Sequence, residues 1–220
     1  MGRAKLKRFR ENDDRPNIFQ DNKPIYHHLN GQWNKEVFPV AQPITLELGC
    51  GKGEYTIGLA RKFGQVNHIG VDVKGDRLWV GSTQAIDEQL DNAVFLRAQI
   101  QQIDQFFDED EVAQIWVTFP DPRPKDRDIK RRLTSPRYLE MYKVILASDG
   151  VVNFKTDNHD LFEYTLETLN DRNDIVDLKY TFDLYQSELQ DFTHGIKTNF
   201  EEKYLALDTP IKYMQFKFKS

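Results

Sequence analysis

The chain holds one cysteine, Cys50, so no intramolecular disulfide staples its fold. A lone thiol in 220 residues fits a reducing compartment, and a cytoplasmic location is expected by elimination. No apolar run approaches the roughly 20 residues that a bilayer-spanning helix needs, which excludes a membrane role of that kind. The start, Met1-Gly2-Arg3-Ala4-Lys5-Leu6-Lys7-Arg8, is basic but lacks the apolar stretch of a signal peptide. His27, His28, His68, His159 and His194 are scattered, so no zinc-type ligand spacing exists and no metal is expected. Internal repeats and low-complexity tracts are missing too. Ordinary apolar burial must therefore build the core. With 39% hydrophobic residues the length suits one large domain, and 30% charge keeps it soluble.

The net charge of −5 hides a strong segregation. Residues 1–10 carry Arg3, Lys5, Lys7, Arg8 and Arg10 and no acid. Residues 123–137 carry Arg123, Lys125, Arg127, Lys130, Arg131, Arg132 and Arg137 against Asp126 and Asp128. Each cluster is +5, so the other 195 residues sum to −15. Local clusters rather than overall charge decide where a phosphate backbone docks. Solvated surface is the competing explanation, more so for the tail than for the second cluster.

That second cluster follows a distinctive loop. The apolar run Gln114-Ile115-Trp116-Val117-Thr118-Phe119 delivers Asp121 between Pro120, Pro122 and Pro124. Proline fixes its own φ and restricts the residue before it, so this carboxylate has few conformations open to it. A fixed acid beside a basic patch points to chemistry on a nucleic acid.

Residues 1–40 contain Pro16, Pro24 and Pro39 with little periodicity, and read as a basic arm with at most short helical pieces. A domain is expected over 41–220. Strands are predicted at 44–48, 68–73, 93–96, 114–119 and 150–154, alternating with helices near 57–63, 78–90, 138–147 and 158–169. This alternation predicts right-handed βαβ units: an α/β fold with a mostly parallel sheet and helices on both faces. Segments 178–184 and 213–218 alternate with period two and predict an antiparallel ribbon closing one edge, with no long helix between them. The long polar connector 185–205 is a candidate functional loop.

Glu47-Leu48-Gly49-Cys50-Gly51-Lys52-Gly53 sits where the first strand turns into a helix, the place where open sheets bind ligands. A dinucleotide fingerprint needs Gly or Ala at 54, but Glu54 stands there and would repel a pyrophosphate. Asp72, ending the second strand, suits a ribose diol, and Glu47 suits a cationic ligand. Together they fit S-adenosylmethionine, with its sulfonium and ammonium. Cys50 reads as a small packing residue rather than a nucleophile.

Here the residues resemble a family. Glu47 to Gly53, Phe119 to Lys125, Lys130-Arg131-Arg132-Leu133-Thr134, Phe154-Lys155-Thr156-Asp157-Asn158 and Thr198-Asn199-Phe200-Glu201-Glu202-Lys203 are similar to motifs of the bacterial tRNA (guanine-N7)-methyltransferases. The resemblance runs in order from about residue 44 to the C-terminus. It implies a class I methyltransferase fold (Rossmann-like, seven-stranded), S-adenosylmethionine as donor, and a variable-loop guanosine, position 46 of tRNA, as acceptor. Carried over by position, Glu47, Gly49, Gly51, Gly53, Asp72, Gln99 and Asp121 are expected at the donor, with Asp121 also catalytic. Lys125, Asp157, Thr198, Phe200 and Glu201 are expected at the substrate, and Arg127, Lys130, Arg131 and Arg132 on RNA. The chain departs from the family at Arg123, commonly Trp, and at Asp128, commonly His. The alternative for Asp157 is a helix N-cap, which can coexist with a substrate role; Phe119, Phe154 and Phe200 could stack on bases, but core packing is favoured, above all for the first two. Two rival readings stay open: a methyltransferase for small molecules or proteins, and a non-catalytic RNA-binding scaffold. Monomer and homodimer are both compatible with the sequence.

Overall fold

The computed structural model describes residues 3–219; Met1, Gly2 and Ser220, and the side chains of Arg3 and Ala4, lie outside the described residues. The start of the expected arm and one of its five charges are thus outside that range. Among the described residues no helix is long and apolar enough to cross a membrane.

An eight-stranded sheet forms the centre, in the order β1-β4-β3-β2-β5-β6-β8-β7. Its first six strands are β1 (Ile18–Phe19), β2 (Ile44–Leu48), β3 (Asn67–Val71), β4 (Ala93–Leu96), β5 (Val112–Thr118) and β6 (Leu146–Thr156). Neighbours among these run parallel. Every residue of β2 to β4 is buried, as a parallel sheet covered on both faces requires, so the polar Thr45, Glu47, Asn67 and His68 lie out of solvent with their apolar neighbours. β7 (Ile175–Thr181) and β8 (Lys212–Phe218) form the expected antiparallel edge, β8 pairing with both β6 and β7. From β2 the chain winds outward through β3 and β4, and from β5 it winds the other way. The crevice at this switch point lies at the carboxyl ends of β2 and β5, where Gly49 and Phe119 emerge side by side.

Helices α2 (Glu54–Lys62), α3 (Gly75–Asp87), α4 (Pro136–Ile145) and α5 (His159–Asn170) fall where apolar spacing predicted them. Two helices were not anticipated. α6 (Asn199–Leu205) is a seven-residue helix inside the 185–205 connector. α1 (Arg3–Asp14) occupies the supposed arm.

The segment 1–40 therefore differs from a free arm. β1 pairs with β4, extending the sheet by an eighth strand. Ile18, Leu29, Trp33 and Phe38 are buried in the core. The Trp33 indole N–H donates to Phe106 O at 2.7 Å, and its ring stacks on Phe107. α1 docks on α3: the Asn12 amide donates to Gly75 O, and the Arg8 and Arg15 guanidinium groups cover Trp79. Outside α1 these are single anchors on irregular chain, so no periodicity announces them.

Candidate active site

The glycine turn joins β2 to α2. Gly53 adopts φ +75°, and a Cβ there would meet Phe95 Cε1 at 2.5 Å, so only glycine fits. Gly49 is the opposite case: its added Cβ would find only Leu133 Cδ1, at 3.9 Å, leaving the backbone open to a ligand. Asp72 follows β3 and braces this turn. Its carboxylate accepts the Gly51 N–H at 3.0 Å and the Lys74 N–H at 2.8 Å.

Glu47 is buried beneath the turn. Thr56 donates to Oε2 through its N–H (2.8 Å) and hydroxyl (2.5 Å), and the Thr118 hydroxyl donates to Oε1 at 2.7 Å. Register brings Thr118 there, since Glu47 of β2 pairs with Trp116 of β5. Burial pushes this carboxyl up to about 7, the hydrogen bonds from Thr56 and Thr118 offsetting only part of the desolvation. Burial likewise drives the Cys50 thiol well above its ordinary range, consistent with packing.

From β5 the chain turns at Phe119, held at φ +48°, and then presents Asp121 to solvent. Asp121 accepts the Arg123 backbone N–H at 3.2 Å, and its other oxygen lies 3.2 Å from Arg123 Nε. Arg123, one of the two departures from the expected motif, thus partners the loop's own acid.

Two cavities meet here. One, of about 330 Å³, is lined by Asp72, Arg77, Gln101, Asp121 and Tyr138, among others. The other, of about 390 Å³, is lined by Glu47, Gly51, Glu54, Thr198 and Phe200, among others. Gly49, Arg77 and Phe119 belong to both walls. A larger cavity of about 870 Å³ lies by the start of β4, beside Phe38, Ala93 and Val94, and holds none of the expected site residues. The paired cavities at the switch point, not this larger one, carry the converging acids and glycine turn expected of a functional site.

A family model described as "Putative methyltransferase" matches residues 41–214. The chain is 44% identical over 219 residues to the tRNA (guanine-N(7)-)-methyltransferase of Cytophaga hutchinsonii, covering 99% of each. The chain belongs to the tRNA (guanine-N7)-methyltransferase family. The Bacteroides fragilis member is 42% identical over 98% of this chain and 86% of its own. Among solved structures, the 16S rRNA methyltransferase KamB aligns with TM-score 0.63 at 11% identity, over 91% of this chain and 96% of its own. Phosphoethanolamine N-methyltransferase 2 of Haemonchus contortus, solved with S-adenosyl-L-methionine, aligns with TM-score 0.51 at 13% identity, over 86% and 50%. At such identity these two establish the fold: class I, with the antiparallel edge described above.

For this family member the expected site residues divide. Glu47, Gly49, Gly51, Asp72, Asp121, Thr198 and Phe200 line the paired cavities. Gln99 does not: it precedes a 3-10 turn, Ile100–Gln105, and is exposed, leaving Ile100 and Gln101 in the wall. Arg132 is not a free RNA contact. It is 8% exposed, donates to Pro122 O and Arg123 O, and lies over Tyr164, so it braces the Asp121 loop from within. Lys125, Arg127, Lys130 and Arg131 are exposed; Arg131 also lines the first cavity, whereas Lys125, expected at the substrate, lines neither. Glu201 is fully buried. It completes a capping box with Thr198 at the start of α6 and pairs with Lys155 at 2.7 Å, so it offers no open face to a substrate. Asp157 lies outside both cavity walls and does not cap α5; Asn158 does, accepting the Leu161 N–H at 2.8 Å. Desolvation raises the Asp157 carboxyl above its ordinary range. Phe154 packs in the core against Phe162, whereas Phe200 is exposed and rests on Phe119.

Sequence reasoning missed Arg77, Tyr138 and Lys155. The first two lie on helix faces that become walls only through packing. Lys155 carried a signal, a charge directly following the run Val151-Val152-Asn153-Phe154 in the strand, which calls for a buried partner. Glu54, read only as an obstacle to phosphate, accepts the Asn199 backbone N–H at 2.8 Å and its side-chain amide, tying α2 to α6.

Proposed function

We propose that this chain transfers a methyl group from S-adenosylmethionine to N7 of a guanosine in tRNA, in the variable loop at position 46. The observation that carries the reading is the wall shared by two cavities, Gly49 and Phe119, with Asp72 and Asp121 on one side and Glu47 on the other. The donor set suits the cofactor. Gly49 leaves room for close approach, Asp72 keeps lone pairs for a ribose diol, and Glu47 is a buried carboxyl that a nearby cation would favour in its ionised form. Ile100 and Gln101 border the adenine end in place of Gln99.

When bound, the donor supplies an electrophilic methyl group. Guanine N7 offers a free lone pair at neutral pH, so the protein needs no general base, and alignment supplies most of the rate. Asp121 accepts hydrogen bonds from the guanine edge or the donor's amino group and offsets the positive charge developing on the ring. Phe200, exposed against Phe119, offers a face on which the extruded base stacks. Thr198 stands in the same wall. Lys125, Arg127, Lys130 and Arg131 hold phosphates beside the entrance, and α1 carries two further exposed cations, Lys7 and Arg10. In this reading residues 41–220 are the catalytic unit, and 1–40 a packed cover that carries α1.

The test is incubation with labelled donor and unmodified tRNA transcript, followed by nucleoside analysis. Label in 7-methylguanosine is expected, lost when the variable-loop guanosine is replaced. Label in another nucleoside, or only in small acceptors, overturns the reading.

A further inference from the structure

Lys155, on β6, lies in neither cavity wall, yet its contacts converge on Phe119 at the start of the Asp121 loop. Its side chain is fully buried, with the ammonium 2.7 Å from Glu201 Oε1. Glu201 comes from α6 and also accepts the Tyr185 hydroxyl at 2.7 Å. Coulomb attraction in an ion pair taken out of water scarcely offsets the lost hydration, so such a pair is weak ground for stability and calls for another explanation. The surroundings supply one. The Lys155 carbonyl accepts the Phe119 N–H at 2.8 Å, and the ammonium lies 5.9 Å from the Phe119 ring centre and 5.2 Å from that of Tyr55. Phe200, the neighbour of Glu201 on α6, packs on Phe119 with ring centres 5.2 Å apart. Phe119 has φ +48°, a left-handed backbone that a bulky residue keeps only where its neighbours impose it. Asp121 is two residues further on.

We propose that Lys155 is a positioning residue for methyl transfer: neutralised by Glu201, it clamps Phe119 in its left-handed conformation and thereby sets where Asp121 meets the acceptor base. The inference rests on the methyltransferase reading above. It gives Glu201 work through Lys155, not through contact with substrate. It also explains why α6 closes on the site from the connector: one short helix grips Phe119 twice, through the Lys155 ion pair and through Phe200.

Lys155→Met alone would strand a buried carboxylate, so the informative variants are K155M/E201L, which replaces the pair by apolar groups, and Glu201→Gln, which keeps the shape and leaves a buried amine, its pKa already lowered by desolvation, to shed its proton. Three readouts apply to the full chain: S-adenosylhomocysteine affinity by calorimetry, kcat and KM on tRNA, and a crystal structure of the double variant. We expect the double variant to bind S-adenosylhomocysteine like the wild type while kcat falls about 100-fold at little-changed KM, the loss that a misplacement of ~1 Å produces. Glu201→Gln should lose about tenfold in kcat, in the same pattern. Phe119 should leave positive φ in the double variant, with Asp121 displaced. Wild-type kcat in the double variant overturns the proposal. So does a KM increase at unchanged kcat in Glu201→Gln, which would return Glu201 to substrate contact; that variant decides alone if the double variant does not fold. Should the wild type itself methylate no tRNA, the functional reading fails instead, and the Phe119 backbone alone then decides: an unmoved φ overturns the proposal.

Discussion

Glu47 is a carboxyl with three protein donors that burial nevertheless lifts from 4.5 to about 7. The native state therefore binds a proton more tightly than the unfolded chain, and this contribution to stability is complete below about 4.5 and lost as pH rises through about 7. A cationic donor favours the ionised form. Donor affinity should then rise with pH up to about 7, by at most tenfold per unit, and level off above. Calorimetry across that range reads it, and Glu47→Gln should flatten the profile while weakening binding. At Asp121 the expectation concerns rate. Asp121→Asn keeps the loop's size and hydrogen-bond geometry but removes the charge, so single-turnover transfer should slow by roughly 10²–10³-fold with donor affinity little changed. Near-normal turnover would dismiss its electrostatic role. Both residues were legible beforehand, because an acid at a strand's carboxyl end beside glycine or proline is a local pattern. The raised pKa of Glu47 was not, since it depends on depth.

At the scale of elements, strands and helices from β2 to α5 followed from apolar spacing, because each lays a continuous face on the sheet. The N-terminal segment did not. Trp33 sits in a single π turn, Trp33–Val37, with its ring between Phe19 and Phe107. A lone aromatic in irregular chain has no period to detect, and three prolines nearby suggested an open arm. Trp33→Ala should destabilise the protein by about 3–5 kcal/mol in urea denaturation, the cost of an emptied aromatic site plus a lost indole hydrogen bond. A mere fraction of that would mean the segment is peripheral after all. α6 was obscured for a different reason: with seven residues its formation depends on its capping box and on Phe119 beneath it, not on its own propensity.

For the whole molecule, charge is the governing quantity. A protein of net charge −5 presents Lys125, Arg127, Lys130 and Arg131 on one exposed loop, so tRNA binding should weaken steeply with salt. Lys130→Ala or Arg131→Ala should reduce the slope of log affinity against log salt by about one. Arg132→Ala, which removes a brace instead of a phosphate contact, should leave the slope intact while loosening the Asp121 loop. Filter binding at four or five salt concentrations separates these outcomes. The basic cluster was plain in the residues, yet its division into four exposed cations and one buried guanidinium was not. This is the general pattern here. The amino-acid sequence alone determined the strand–helix alternation, the glycine turn, the acids at the strand ends and the basic loop, because each is a matter of local period or backbone sterics. Only the tertiary structure decided that Glu201 meets Lys155 across 46 residues, that Arg132 turns inward and that Trp33 fills the core. Those outcomes depend on which distant surfaces share the same desolvated space, and no local pattern encodes that.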